Sequence, residues 1–369
     1  MSKYYFGLAG RDDDKALRNI IRSIPMEGSL RIVFQKEPDF FAAERIGAQS
    51  LDVLLCRERV SRKIVGFGSR SVRRVFVNGR PENIGYLSSL RAIPEVRGGI
   101  LLPRAYNALR ELHAADGKVP FYFTTIFDEN ETAKKLLTSG RAGLPTYQEI
   151  GALNTHIVTL RSFRGNPPDF RGTIVRGSRE IIPEIVAFLN VYNAQFQFAP
   201  CFEVSDFERG MFSGFVPENF YVARIGASIV GVVGVWDQSS TKQTVVEGYS
   251  KTLKYLRPWY NAYAMLIGAP QLPQIGEQIR SLYISFIAIN PPEPEVLRMF
   301  LHRIYRDWNS SSYEYALFGF NEKDPLGSVL LNVRHRIVKS RMYVVCWEDG
   351  RKRVAELENR LPHLEIAIL

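Results

Sequence analysis

The sequence predicts an α/β protein of the α+β type, arranged as two similar domains in tandem. Three observations carry this. At 369 residues the chain is long for a single compact core. Strand-like alternation and runs of helical length follow one another along it, with no transmembrane-length apolar run. Much of the element order of the first half then recurs in the second. With 46% hydrophobic and 23% charged residues, the composition is that of an ordinary folded protein.

The elements read as follows. Residues 29–35 (SLRIVFQ) alternate like a strand, and 38–48 look helical. Strands follow at 52–58 and 64–77, and the Asn78-Gly79 turn leads to another at 84–93. After a Gly-Gly break come a helix at 100–114, the apolar strand 121–127 (FYFTTIF) and a helix at 130–138. In the second half, 220–225 and 229–236 form a hairpin that repeats Ile-Val-Gly of 64–66. Tyr283-Ile284-Ser285 repeats Tyr86-Leu87-Ser88, and a helix (295–308) and a strand ending at 318–320 follow. Residues 161–171, rich in Gly, Pro and Arg, place the boundary near 165, giving domains 1–165 and 166–369. The last stretch supplies a strand (MYVVCW), a helix and a short apolar tail.

The segment with most chemical content is Pro94-Glu95-Val96-Arg97-Gly98-Gly99, between a strand and a helix. Glycine lets the backbone approach a ligand closely, and a helix beginning there aims free N–H groups at it, which suits a pyrophosphate. Taken in order, Ile64-Val65-Gly66, Pro94-x-x-Arg97-Gly98 and Asn130-Glu131-Thr132-Ala133 resemble the GNAT superfamily of N-acyltransferases over about residues 29–150. The resemblance implies two GNAT-like domains, each a mixed, mostly antiparallel sheet flanked by helices. It implies acetyl-CoA or another acyl-CoA as cosubstrate, its pyrophosphate held at Arg97, Gly98, Gly99 and Ile100. It also places Leu90 and Ala92 along the coenzyme, with Asn130 on the pantetheine arm or capping the next helix. An oxyanion donor is expected from the splayed strand around Ser88–Leu90. For the amine, Glu82 is the candidate base, with Tyr86 and Ser88 positioning water; the plainer readings are a solvated turn residue and a core aromatic.

Two departures from the GNAT pattern stand out. The loop after Gly98 is one residue short, and Leu137 stands where many members have a tyrosine acid. In the second half the loop is Asn290-Pro291-Pro292-Glu293-Pro294-Glu295, where prolines remove donors and carboxylates repel phosphate. This half is read as a degenerate copy serving structure or substrate binding, an architecture that resembles N-myristoyltransferase and related two-domain acyltransferases. Two functional readings stay open: an acyl-CoA-dependent N-acyltransferase, acetyl by expectation, acting on a small-molecule or peptide amine near the domain interface, or a non-catalytic GNAT-fold ligand-binding or regulatory protein.

The net charge is +10, of which the first 165 residues carry +9. The basic stretch 57–80 lacks an interleaved aromatic platform, so nucleic-acid binding ranks last. His113, His156, His302, His335 and His363 show no metal or triad spacing, and no metal is expected. Cys56, Cys201 and Cys346 read as buried reduced thiols, and with no signal peptide or spanning run the expectation is a cytoplasmic protein without a membrane partner. Tyr255, Trp259, Tyr260 and Tyr263 are expected to pack in the core or at an interface, or else to line a substrate cavity.

Overall fold

The structure, a computed structural model, describes all residues except 1, 27, 97–100, 268, 310 and 311. The first half supplies β1 (Tyr4–Leu8), α1 (Asp14–Arg22), β2 (Leu30–Gln35), α2 (Phe40–Glu44), β3 (Ser50–Glu58), β4 (Ile64–Val77) and β5 (Arg80–Ala92). It continues with α3 (Leu101–Asp116), β6 (Tyr122–Phe127), α4 (Glu131–Leu137) and β7 (Thr146–Thr159). The second half supplies β8 (Thr173–Arg176), α5 (Ile182–Asn193), α6 (Val204–Glu208), β9 (Phe220–Ile225), β10 (Ser228–Trp236) and β11 (Gln243–Tyr249). It ends with α7 (Lys251–Ile267), β12 (Ser281–Ile289), α8 (Pro294–Trp308), β13 (Tyr315–Asn321), β14 (His335–Cys346) and α9 (Arg351–Ala355).

Twelve strands form one sheet in the order β1-β3-β4-β5-β6-β14-β7-β13-β12-β10-β9-β8. The order is a palindrome of equivalents: β3-β4-β5-β6 is answered by β9-β10-β12-β13. At its centre the last strands are exchanged. β14 pairs with β6 along Val345↔Tyr122 to Ser340↔Phe127, while β7 pairs with β13 along Tyr315↔Thr159 to Asn321↔Leu153. Each half is mixed and mostly antiparallel, with parallel pairs only at β5–β6 and β12–β13. The strand expected at 29–35 is β2, but it lies outside this sheet and pairs with β11 instead.

Local sequence explains the helices that frame the sheet. In α8, Val296, Leu297, Phe300, Leu301 and Ile304 recur at helical spacing and are buried against β10, β12 and β13. Each such side chain removed from water contributes roughly 1.5–3 kcal/mol. Its first turn carries Pro294, which lacks the donor that a first turn leaves unpaired anyway. The Asp39 carboxylate caps α2 by accepting from Ala42 N–H at 2.8 Å, and Asn130 Oδ1 caps α4 by accepting from Ala133 N–H at 3.1 Å.

A buried charged network ties α3 to the sheet. Arg70 on β4 donates to both carboxylate oxygens of Asp116 at 2.6 and 2.9 Å and, through Nε, to the Tyr122 hydroxyl at 3.0 Å. His113 extends this network, bonding to Tyr122 (2.9 Å) and Asp349 (3.0 Å). The Arg70 guanidinium holds the Asp116 carboxyl far below its usual range.

Cys56 and Cys346 are buried and Cys201 is partly exposed. Burial pushes the Cys56 thiol up to about 11. No helix among the described residues is long and apolar enough to cross a membrane. The core-packing expectation for Tyr255, Trp259, Tyr260 and Tyr263 is corrected: all four lie exposed on α7, whose only buried residue is Ala264. The helix satisfies its inner face with Arg257 and Asn261, which bond the Leu272 carbonyl, and so leaves its aromatic residues outside.

Candidate active site

Strands β5 and β6 run parallel and paired only at Gly85↔Tyr122 and Tyr86↔Phe123. Gly85 is required there, because a Cβ would collide with the Tyr122 ring. One further contact, Thr124 Oγ1 donating to the Leu87 carbonyl at 2.7 Å, ends the seam. Beyond it β5 bulges: Ser89 and Leu90 together oppose the single residue Gly68 of β4, and Ser89 takes the left-handed conformation at φ 54°. A bulge turns the strand away from its neighbour, so a gap opens between β5 and β6. On one face of the sheet α3 packs through Tyr106 and Leu109 against Leu87 and Tyr122. On the other face Tyr86 stacks on Phe123 at 4.7 Å.

Polar groups gather where the bulge meets this second face. Glu44, the last residue of α2, is buried, and its carboxylate accepts from Ser88 Oγ at 3.3 Å and from Ser89 Oγ at 2.7 Å. Lys36, just after β2, forms an ion pair with Glu44 and donates to Ser89 Oγ at 3.0 Å. Burial, then the charges of Lys242 and Arg91, push the Lys36 ammonium well below the usual lysine range. Lys242, just before β11, donates to the Leu369 main-chain oxygen at 3.0 Å. Burial, then the charge of Arg73, brings its ammonium down to about 7.

The second half repeats this geometry with a different filling. β12 pairs with β13 only as far as Tyr283↔Leu317, and Phe286 and Ile287 bulge opposite Val233, with Phe286 at φ 53°. Counting from the paired tyrosine, Phe286 is the counterpart of Ser89. Here, though, the gap is occupied by residues 364–368. Glu365 accepts from Phe286 N–H at 2.6 Å and Ala367 N–H at 3.1 Å, Ile366 presses on Gly319, and Ala367 accepts from Gln238 Nε2 at 2.6 Å. Burial raises the Glu365 carboxyl to about 7, against the pull of the two amides. No group of three or more His, Cys, Asp or Glu among the described residues is arranged to hold a metal.

Nearly the whole chain, sheet and flanking helices together, superposes on known folds. Two structures of Saccharomyces cerevisiae N-myristoyltransferase with bound myristoyl-CoA superpose with TM-scores of 0.59, at 12% and 10% identity. They cover 94% and 99% of this chain and 79% and 87% of theirs. A GCN5-related N-acetyltransferase from Anabaena variabilis superposes with TM-score 0.52 at 10% identity, over 92% of this chain and 72% of its own. The chain has the GNAT-type N-acyltransferase fold. No protein-family model and no curated protein sequence matches it.

Against the GNAT frame, the predicted residues fall in three groups. Arg97, Gly98, Gly99 and Ile100 lie outside the described residues. Ser88, Leu90 and Ala92 line the end of β5 at and beyond the bulge, with Ala92 paired to Gly66 and Leu90 exposed. Asn130 sits past the end of β6 as the cap of α4. Glu82 is not brought to them: it begins β5, six residues and roughly 20 Å upstream of Ser88, and is held in an ion pair by Arg353 of α9. Tyr86 is enclosed between Phe123 and the Arg73 guanidinium, whose carbon lies 4.4 Å from the ring centre. Leu137 packs in the core with Leu109 and Tyr106, so that position offers no proton. Sequence reasoning missed Lys36, Glu44, Lys242 and Glu365. Glu44 alone carried a signal, a carboxylate closing the apolar run Phe40-Phe41-Ala42-Ala43.

Proposed function

We propose that this chain is an acyl-CoA-dependent N-acyltransferase with one active site, at the β5–β6 gap. The observation that carries the reading is the contrast between the two gaps. One is filled by the chain's own residues 364–368, and the other meets a buried cluster of Glu44, Lys36, Ser88 and Ser89. In this reading the acyl-CoA lies between β5 and β6, with its pyrophosphate end towards α3 and its thioester at the bulge. The amine approaches from the face that carries Glu44.

A primary amine arrives as an ammonium ion and must lose a proton before its lone pair can attack. Glu44 is the proposed acceptor, in place of Glu82, because it stands at the bulge. Lys242 supports it: once neutral, it removes a positive charge beside the Glu44–Lys36 cluster, which makes Glu44 a better proton acceptor. The amine nitrogen then bonds to the thioester carbonyl carbon, the C–S bond breaks, and the second nitrogen proton goes to the departing thiolate. Products are an amide and free coenzyme A. Backbone donors of the bulge are the proposed stabilisers of the carbonyl oxygen as it gains charge.

The acyl group is proposed to be acetyl and the acceptor a small-molecule or peptide amine. Thiol release from a series of acyl-CoAs, acetyl to myristoyl, with a panel of amines tests both proposals. Preferred turnover of a long chain would replace acetyl and leave the site in place. Binding of acyl-CoA without turnover of any amine would favour a non-catalytic ligand-binding protein.

A further inference from the structure

Helix α7 connects β11 to β12 and packs on the rest of the molecule mainly along one line of side chains, with Tyr260 beside it bonding the Pro270 carbonyl. Leu253, Arg257, Asn261 and Ala264, spaced by three or four residues, face inward. Arg257 also lies over the Tyr249 ring, and Asn261 and Leu272 exchange hydrogen bonds at 2.8 and 3.1 Å. The opposite face is apolar and aromatic. Tyr255, Trp259 and Leu266 are 79%, 74% and 85% exposed, and Tyr263 and Met265 flank them. From Tyr255 to Leu266 this stripe is about 16 Å long. Lone exposed apolar residues are ordinary on a protein surface; a continuous stripe of large ones marks a contact site.

Charge selects the occupant. Lys251 and Lys254 stand beside the stripe on its first turn, and no Asp or Glu occurs between Glu247 and Glu277. Pairing two copies through this face would bring the lysines of two strongly cationic chains together, which disfavours a symmetric dimer. An anionic lipid surface complements every feature. Aliphatic tips enter the acyl boundary, Trp and Tyr sit at the headgroup level, and lysines meet phosphates. We propose that α7 docks the protein on the surface of an anionic phospholipid bilayer, lying in the interface plane. The inference is independent of the catalytic reading, and it departs from the sequence expectation that no membrane is involved.

The test uses the full chain and vesicles of phosphatidylcholine with or without phosphatidylglycerol. Of the four tryptophans, Trp259 is the exposed one, so its emission reports insertion. The expected result is co-sedimentation with phosphatidylglycerol vesicles and a blue shift of emission. Trp259→Ser with Leu266→Ser should weaken binding at least tenfold while leaving the melting temperature unchanged. Lys251→Glu with Lys254→Glu should weaken it by a similar factor. Absence of binding to phosphatidylglycerol vesicles would overturn the proposal. Equal binding by wild type and the Trp259/Leu266 variant would also overturn it, since the general basic surface would then be responsible. A self-association abolished by that variant, without vesicle binding, would assign the face to a second copy instead.

Discussion

At the scale of single residues, two buried carboxylates stand one at each bulge, Glu44 and Glu365. Glu44 contacts two serine hydroxyls and a lysine in the first half. Glu44→Gln keeps the shape but cannot take the ammonium proton. It should lower kcat by about a hundredfold or more while leaving acyl-CoA affinity unchanged; steady-state kinetics beside equilibrium binding separates the two. Lys242 should set a pH dependence. With its ammonium at about 7, kcat/KM should rise as pH passes upward through 7, and Lys242→Met should remove that inflection. Glu365 plays the opposite part, holding a plug. Its carboxyl ionises near 4.5 in an unfolded chain and near 7 when folded. A raised folded value stabilises the native state fully below about 4.5, and this contribution is lost as pH rises to 7, on the order of 3 kcal/mol. Melting temperatures of wild type and Glu365→Gln should therefore diverge between pH 5 and 8, with the variant losing less. Parallel curves would show that Glu365 is not held neutral in the fold.

At the scale of elements, the β5 bulge and the angle of α3 set the gap. Arg70 and Asp116 fix α3 at its last turn. Asp116→Ala leaves a buried guanidinium without its bidentate partner and should cost about 3–5 kcal/mol. Arg70→Met with Asp116→Leu should recover much of that, as denaturant melts would show. Elements with strong local signals were legible in the sequence: the 64–77 and 121–127 strands, the helix after Gly99 and the repeated Tyr-x-Ser all stand where expected. The first strand and helix, β7, α5, β11 and α7 were not read. In α7, Pro258 inside the helix and the inward placement of Arg257 and Asn261, with the large aromatic residues outside, hid the helical period. The site was less legible than the fold because its members are gathered by topology. Lys36, Glu44, Ser89 and Lys242 come from four segments of the chain, and no local spacing connects a residue at 44 with one at 242.

At the scale of the whole molecule, a palindromic sheet is made asymmetric by residues 364–369, which occupy one of its two gaps. Exchange of β7 and β14 fuses the two halves, and residues 364–369 then thread between them. Ile366 is the anchor of that segment, pressed on Gly319 and packed with Phe123 and Leu153. Ile366→Ala should cost about 2–5 kcal/mol by chemical denaturation, because two halves share the cavity it leaves. In the proposed function one gap is open to a coenzyme and the other is closed. Calorimetric titration of the full chain with acetyl-CoA and with myristoyl-CoA measures this most directly. The expected result is saturation at one acyl-CoA per chain, unaffected by Glu44→Gln. Two equivalents per chain, or no binding of either acyl-CoA, would contradict it.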